Sequence, residues 1–483
     1  MKKINLLAAA VLAAGALSSS AFADYTPNAY FGGYFRSGVM HSQSGRSAAW
    51  NKNQVGRLGN ENDTYGEIVL GADVAKVDNT VWTVNTRMAV SNNHNVDWQL
   101  AGDSNNGSGT DYAFREFWLN VKGICSWDAD ANLWAGKRYY RREDIHTIDV
   151  YYFDISGMGA GIENLSVGPG KFHAAWLRQD DSTDYKWKDD YVSVVKASDG
   201  KALGKPSAVS LDKIDLEYDL PVWDGGNLEF RTAFFIPTRD SNDSYKKYTT
   251  AEKEFKGAQL YTVELSQGYS LGWNKTVVQY FHGSNADWSA WGTGNWLNYD
   301  GSSNKAHRWS IYNFGETHFT DSVGMFHVAY ATASDGYDNN VYSANYTAKK
   351  SDKAFQLVVR PYVKLTKMSR LYAELGWFAK YTKNYNKKED GDYIYHTGTK
   401  HEGEHGSKYT IAYALTPDAG NFWSRPELRF FVSYLRGCQG ADISSNGGTS
   451  DYQVKYKDTN YVLSEGNSKK SNYVFGVQAE AWW

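Results

Sequence analysis

The sequence predicts an all-β fold: a transmembrane antiparallel β-barrel of about 18 strands, with short periplasmic turns and long extracellular loops. Three observations predict it. Apolar and polar residues alternate with a period of two, tight turns alternate with long polar loops, and aromatic residues are abundant. The chain has 18 Trp, 36 Tyr and 21 Phe beside 45 Gly and only 8 Pro, a composition typical of β-structure with aromatic belts.

The chain begins with the features of a secretory signal peptide. Two lysines precede an apolar run over residues 4–17, and the motif Ala21-Phe22-Ala23 follows, so cleavage is expected before Asp24. The expected domains are a signal peptide, residues 1–23, and an outer-membrane β-barrel, residues 24–483. Without the first two lysines the barrel has 49 basic residues against 54 acidic ones. This balance gives no reason to expect nucleic acid as a partner.

The period of two is clearest in the segments KIDLEYDL, NLEFRTAFFI and FQLVVRPYVKL. In the first of these, Ile214 and Leu216 share one face of the strand, while Asp215 and Glu217 share the other. In a soluble sandwich the apolar face would form the core. In a membrane barrel it would face lipid and the polar face would line a lumen. Alternation alone does not separate these two folds.

The lengths of the connections favour the barrel. The short turns WDGG, FTDS and TKMS contrast with polar loops from about Asp180 to Leu211 and from about Asn384 to Gly406. Tight turns at one end of the strands and long loops at the other are typical of outer-membrane barrels. After the signal segment no stretch approaches the roughly 18 apolar residues of a membrane helix. Roughly 25 residues per strand and connection give about 18 strands, an even number as a closed bacterial barrel requires.

The two ends of the chain place aromatic and charged side chains in the lumen. In the last strand Trp483 shares the apolar, outward face, while Trp482 shares the luminal face with Glu480. In the first strand Tyr34 and Arg36 face inward. An aromatic ring beside a water-filled lumen indicates that something with an apolar face passes there.

The segment RLGNENDTYGEIVL extends the same pattern. Reading it as one strand predicts that Leu58, Ile68 and Leu70 face outward and that Arg57, Glu61, Asp63, Tyr65 and Glu67 face inward. The lumen then pairs aromatic rings with charges. Sugars carry C–H groups on the ring faces, which aromatic rings can cover, and hydroxyls at the rim, which Arg, Asp and Glu can bind.

The sequence resembles the maltoporin family of trimeric outer-membrane sugar channels over nearly the whole mature chain. The most specific block is WAGKRYYRREDIHTIDVYYFDISGMGAGIENL, residues 134–165, and the blocks GYFRSG, RLGNENDTYGE, AFREFWLNVKG, FWSRPELR and the terminal WW also match. The resemblance implies a homotrimer in the outer membrane of a Gram-negative bacterium, surrounded by lipid. It implies facilitated diffusion of maltose and maltodextrins, without chemistry, cofactor or metal.

The matching motifs also imply roles for single residues. An aromatic slide would comprise Tyr34, Tyr65, Trp98, Trp273, Trp423 and Trp482, with Trp98 reaching in from a neighbouring subunit. An ionic track and constriction would comprise Arg36, Arg57, Glu67, Arg115, Arg142, Asp144, Asp149, Tyr151 and Asp154, with Tyr151 narrowing the passage. Alternation independently places only Tyr34, Arg36, Arg57, Tyr65, Glu67 and Trp482 in the lumen. The other positions follow from the resemblance.

One match and one departure refine the resemblance. A related sucrose-channel subgroup changes the positions equivalent to Arg142, Tyr151 and Asp154 and carries an N-terminal coiled-coil extension. This chain keeps those three residues, and its first strand begins soon after the expected cleavage site, so the resemblance favours maltodextrin over sucrose. Some relatives have a disulfide in the first outer loop, but here Asn62 stands at the position of the second cysteine.

The two cysteines of the chain are not expected to pair. Cys125 falls near a short turn and Cys438 near a long loop, so the two thiols should lie at opposite ends of the barrel. A disulfide needs Cα atoms within about 7 Å of each other.

Other interpretations stay open from the residues alone. Luminal charges could simply solvate the lumen, and inward aromatic rings could pack against an inserted loop. A general diffusion porin or a sucrose-type channel is the nearer alternative. A secreted glycosidase could use Asp144 and Asp149, or Glu61 and Glu67, as its carboxylate pair, although outward apolar residues on every strand argue against it. His146 has no second metal ligand at suitable spacing, so no metal site is expected.

Overall fold

The computed structural model describes residues 27–43, 51–92, 111–179, 209–239, 256–286, 304–338, 346–388, 398–437, 450–456, 459–465 and 471–483. In chain order the elements are β1 (Asn28–Ser42), α1 (Lys52–Val55), β2 (Thr64–Val77), β3 (Thr80–Asn92), β4 (Asp111–Lys122), β5 (Asn132–Arg138), β6 (Glu143–Ile145), β7 (Val150–Phe153), β8 (Gly157–Val167), β9 (Gly170–Gln179), β10 (Val209–Trp223), β11 (Gly226–Arg239), β12 (Ala258–Tyr269), β13 (Gly272–Gly283), a 3-10 turn (Ser284–Ala286), β14 (His307–Thr320), β15 (Val323–Asp338), β16 (Tyr346–Lys364), β17 (Ser369–Lys388), β18 (Gly398–Leu415), β19 (Glu427–Arg436), β20 (Ser450–Tyr456), β21 (Thr459–Glu465) and β22 (Ser471–Trp482).

Eighteen of these strands form one closed antiparallel barrel, made of β1–β5, β8–β19 and β22. The last strand, β22, pairs with β1 and closes the sheet, with Tyr34 opposite Trp482 in the register. The other strands form two separate hairpins, β6–β7 and β20–β21. The predicted fold class and strand number are confirmed.

The barrel wall has charged residues inside and apolar residues outside. On β11 Arg231 is 2% exposed while its neighbour Phe230 is 44% exposed, and on β10 Glu217 is buried while Leu216 is exposed. A soluble sandwich would show the opposite distribution. Lipid-facing apolar side chains around a polar interior are the arrangement of a membrane-spanning barrel. No helix among the described residues is both long and apolar enough to span a bilayer.

The predicted short turns are present, while one predicted long loop is shorter than expected. Only a few residues separate β10 from β11, β14 from β15 and β16 from β17. The loop expected from Asn384 to Gly406 is largely strand, because β17 continues to Lys388 and β18 begins at Gly398. A strand can continue beyond the membrane into water, and polar side chains do not interrupt its backbone pairing there. Most of the loop expected from Asp180 to Leu211 lies outside the described residues.

Residues 51–63 fold into the lumen instead of forming a strand. The prediction that Leu58 faces lipid is therefore wrong, since Leu58 is 1% exposed. Its backbone N–H donates to Glu374 Oε1 at 3.0 Å, and Lys408 Nζ donates to the Leu58 carbonyl at 2.6 Å. Both partners are luminal side chains of wall strands, Glu374 of β17 and Lys408 of β18. The strand β2 begins only at Thr64, so the alternation of a strand does not apply to the residues before it.

Cys125 lies in the turn between β4 and β5 and has a free thiol. Cys438 lies outside the described residues. The expectation that the two cysteines do not pair stays a prediction.

Candidate functional site

The segment from Tyr139 to Ser156 crosses the lumen and carries the small hairpin β6–β7. On one wall the Tyr152 hydroxyl donates to Glu264 at 2.6 Å, and Gln279 Nε2 donates to the Tyr152 carbonyl at 2.8 Å. On the other side the Arg57 backbone N–H donates to the Thr147 carbonyl at 3.0 Å. Because wall strands hold it on one side and the inward segment 51–63 contacts it on the other, this segment narrows the barrel. We call it the constriction segment.

The helix α1 fixes the constriction segment from the side. Asn53 Nδ2 donates to the carbonyls of Ile148 and Asp149 at 3.0 and 2.7 Å, and Lys52 Nζ pairs with the Asp149 carboxylate at 2.5 Å. Gln356 of β16 in turn donates to the Asn53 carbonyl at 2.8 Å. The two inward segments are therefore tied to each other and to the wall.

Three tryptophans line the lumen on the side of the turns. The rings of Trp273 and Trp423 lie 6.5 Å apart, and those of Trp423 and Trp482 lie 6.3 Å apart. Three different elements supply them: β13, the connection between β18 and β19, and β22. All three are half-buried, so each keeps part of its surface toward the lumen.

Two tyrosines continue this row toward the constriction segment. The rings of Tyr34 and Tyr65 lie 6.1 Å apart, and Tyr34 stands opposite Trp482 across the β1–β22 seam. Five of the six residues predicted for the aromatic slide thus lie together. Trp98 lies outside the described residues.

Ion pairs face the two tyrosines. Arg36 lies 5.2 Å over the Tyr65 ring and donates to Asp63 at 2.9 Å. Arg57 donates to Glu61 at 3.1 Å. Arg57 Nη2 also donates to the Tyr34 hydroxyl at 3.0 Å, so each arginine lies beside one of the two tyrosines.

Glu67 connects this side to the constriction segment. Its carboxylate accepts hydrogen bonds from the Tyr65 hydroxyl at 2.5 Å and the Tyr139 hydroxyl at 3.2 Å. It also pairs with Arg87 Nη1 at 2.5 Å. Neither Tyr139 nor Arg87 was singled out from the sequence, although Tyr139 stands in the specific block KRYYRRED.

Arg115 reaches the same cluster through an irregularity in β4. Arg87 pairs with Glu116 and Met88 with Phe114, so Arg115 is the extra residue of a β-bulge. A bulge redirects a side chain that strict alternation would send to the other face. Arg115 Nε donates to the Tyr139 hydroxyl at 2.6 Å. This explains why alternation did not decide its side.

Arg142 and Tyr151 meet within the constriction segment. The Arg142 guanidinium lies 4.0 Å from the ring centres of both Tyr139 and Tyr151, and it donates to the Tyr151 hydroxyl. The cation is therefore held between two rings at the narrow part of the lumen.

The three aspartates of the constriction segment have different surroundings. Asp144 is exposed. Burial would raise the pKa of Asp149, but Arg57 and Lys52 favour its charged form and lower the pKa to about 2. Asp154 accepts a hydrogen bond from the Ser156 backbone at 2.9 Å. Asp144 is thus free to meet a solute, while Asp149 and Asp154 also hold the segment in shape.

His146 packs among the aromatic rings. Its imidazole lies 5.5 Å from the rings of both Trp423 and Trp482, and its Nδ1 faces the donor Arg57 Nη1 at 3.3 Å. Arginine only donates, so Nδ1 is the acceptor and the proton is on Nε2.

One group of described residues has the spacing of a metal site: His173, Glu217 and Asp219. The Asn164 backbone donates to His173 Nδ1 at 3.0 Å, and His173 Nε2 faces Asp219 at 3.1 Å. Because Nδ1 accepts, Nε2 carries the proton and donates to Asp219. Both nitrogens are engaged in hydrogen bonds, so this group is explained as a support for the β8 bulge at Asn164.

Comparisons with known proteins show which proteins this chain resembles. A family model described as LamB porin matches residues 29–483. Maltoporin 1 of Klebsiella pneumoniae is 35% identical over 479 residues, covering 98% of this chain and 97% of that protein. Maltoporin 2 of Yersinia pestis is 32% identical over 456 residues, covering 94% of this chain and 93% of that protein. Among solved structures, OmpT of Vibrio cholerae aligns over 97% of this chain and 99% of its own at 13% identity, with a TM-score of 0.39.

Proposed function

The chain belongs to the LamB porin family, and from this premise we propose that maltose and maltodextrins diffuse through it along the aromatic row. It is a β-barrel porin of the outer membrane of a Gram-negative bacterium. The observation that carries the proposal is the row Trp273–Trp423–Trp482, whose rings follow one another at 6.5 and 6.3 Å along the lumen. Sugar faces can move from one ring to the next.

The ionic side of the lumen would bind the hydroxyls. Arg36, Arg57, Glu67, Arg115, Arg142 and Asp144 present donors and acceptors opposite or beside the rings, with Asp149, Tyr151 and Asp154 shaping the narrow part. As water is stripped from a sugar at the constriction, these groups can exchange hydrogen bonds with it. A charge-assisted hydrogen bond of this kind replaces a bond to water with little net loss.

Binding at each ring is expected to be weak. Conduction needs several shallow sites, because one deep site would hold the solute. One aromatic contact is worth about 1 kcal/mol, and millimolar affinity needs only about −4 kcal/mol. A few rings and hydrogen bonds therefore suffice.

One of the two carboxylate pairs considered for a glycosidase, Glu61 and Glu67, is engaged in ion pairs. Glu61 is paired with Arg57 and Lys52, and Glu67 with Arg87, so neither is a free carboxyl that could deliver a proton.

The proposal includes processing and assembly of the chain. A signal peptide of residues 1–23 is removed, and the mature chains form a homotrimer in which Trp98 of a neighbouring subunit completes the row. These points rest on the resemblance.

The test is a titration of maltotriose and sucrose into planar bilayers that hold single channels. Maltotriose should block the ion current in a concentration-dependent way, and sucrose should block it less. Current that maltotriose leaves untouched would favour a general porin, and stronger block by sucrose would assign the channel to the sucrose-type subgroup.

A further inference from the structure

Arg425 lies directly behind the end of the aromatic row. Its guanidinium is centred 4.1 Å from the Trp482 ring. Its Nε and Nη2 donate to Glu480 Oε2 at 3.0 and 2.8 Å. With its side chain 1% exposed, Arg425 covers one face of the indole and leaves the rest of the ring to the lumen.

The same side chain also holds the segment that carries Trp423. Arg425 Nη1 donates to the carbonyls of Phe422 and Ser424 at 3.1 and 2.9 Å. These are the two residues on either side of Trp423. One guanidinium therefore contacts the Trp482 ring and the backbone around the Trp423 ring.

Glu480 anchors Arg425 to the barrel wall. This fully buried carboxylate also pairs with Arg57 Nη2 at 3.2 Å and Arg429 Nη2 at 2.6 Å, and it accepts from the Tyr34 hydroxyl at 3.0 Å. Because three cations and a hydroxyl surround it, Glu480 stays ionised and in one place. The hydrogen bonds from Arg425 to Glu480 therefore hold the guanidinium in one position as well.

We propose that Arg425 is a positioning residue of the sugar path, which sets the mutual orientation of Trp423 and Trp482 without binding sugar itself. Among the residues that the structure describes, the Trp423 connection and β22 are joined by backbone pairing only through β19, and Arg425 adds a side-chain bridge between them. A guanidinium stacked on an indole resists rotation of that ring. This inference rests on the function proposed above.

The test measures sugar block in channels of the full-length protein carrying Arg425→Met or Arg425→Lys. Methionine keeps much of the side-chain volume but loses the stack and every hydrogen bond. Lysine keeps a positive charge opposite Glu480 but loses the stacking of a planar group on the Trp482 ring and the paired N–H donors of the guanidinium. We expect Arg425→Met to raise the maltotriose dissociation constant about fivefold, mainly through faster release of the sugar. A fivefold change corresponds to the free energy of one cation–π contact. Arg425→Lys should fall between it and the wild type.

The matched control is Arg138→Met. Arg138 also pairs with a glutamate, Glu163 at 2.8 Å, and also lies over an indole, Trp134 at 4.7 Å, but neither partner belongs to the aromatic row. This control should leave the dissociation constant unchanged. If Arg425→Met yields no assembled channel, Arg425→Lys against the same control decides the question.

A double-mutant cycle separates positioning from general stability. In a channel that already lacks both rings, Trp423→Ala with Trp482→Ala, adding the Arg425 substitution should weaken block less than twofold, because the rings through which it acts are absent. An undiminished effect in that background would overturn the inference, and so would an unchanged constant in the single variants. Absence of block in the wild type would overturn the proposed function itself, and this inference with it.

Discussion

At the scale of single residues, the last two tryptophans have opposite surroundings. Trp482 faces the lumen between Arg425 and Trp423. Trp483 is 53% exposed on the outer face, lies 5.6 Å from the Phe31 ring, and exchanges backbone hydrogen bonds with Gly33 at 3.3 Å. Adjacent residues of one strand point to opposite faces, which gives two identical side chains different tasks.

Replacing each of these tryptophans by alanine should therefore give different defects. We expect Trp482→Ala to leave an assembled channel with sugar binding weakened by about 1 kcal/mol, the worth of one aromatic contact. Trp483→Ala should lower the yield of heat-resistant trimer on a gel, because it removes a contact at the β1–β22 seam. Its surviving channels should bind sugar normally. Swapped phenotypes would contradict the assignment of the two faces.

Tyr151 gives a second prediction at this scale. Its ring holds Arg142 at the narrow part of the lumen, so Tyr151→Ala should widen the passage and raise the single-channel conductance in the absence of sugar. The control is Tyr261→Ala, which removes an exposed tyrosine from a wall strand, β12. Equal conductance in the Tyr151 variant and the wild type would place the narrowest point elsewhere.

At the scale of elements, the constriction segment depends on a few side-chain bonds to the wall. Tyr152 is the main one on the β12 side: its hydroxyl bonds to Glu264, and its ring packs against Tyr312 and Phe314 at 5.8 and 5.7 Å. The ring contacts and the hydroxyl can be separated by substitution.

Tyr152→Phe should loosen the constriction segment without unfolding the barrel. Phenylalanine keeps the ring packing but removes one hydrogen bond between the constriction segment and the barrel wall, which costs about 1 kcal/mol. We expect a noisier open-channel current at an unchanged trimer yield. Tyr409→Phe is the control, since it removes a hydroxyl that accepts from Trp377 at 3.1 Å on the outer face. A current as quiet as that of the wild type would contradict the anchoring role of the hydroxyl.

Alternation predicted the wall strands, because side chains in a β-strand reach opposite faces regardless of what the barrel encloses. It failed for Leu58, where a segment inside the lumen makes its contacts through its backbone and follows no period. It was silent on Arg115, which a bulge redirects. For the constriction segment only the resemblance to a family indicated an inward position.

At the scale of the whole molecule, closure of the barrel creates the site. Glu480 gathers Tyr34, Arg57 and Arg425 around one carboxylate, although they come from distant parts of the chain. Alternation placed Glu480 in the lumen, but its partners are defined only once β22 pairs with β1. This is why Arg425 could not be recognised from the sequence.

Processing of the chain is also predicted at this scale. Protein isolated from outer membranes should have the intact mass of residues 24–483, because the apolar segment before Asp24 has the form of a signal peptide. Intact-mass spectrometry measures this directly. A mass that includes residues 1–23 would contradict the predicted cleavage.

The central claim is that sugar affinity resides in the aromatic row. The most direct measurement is the sugar-block constant for maltose and longer maltodextrins in the wild type and in a combined Trp273→Ala, Trp423→Ala, Trp482→Ala variant. Affinity in the wild type should rise with chain length until the row is covered. The variant should lose this dependence, with block by the longer chains weakened about a hundredfold for three rings worth about 1 kcal/mol each. An assembled variant that keeps the wild-type constants and their length dependence would contradict the account.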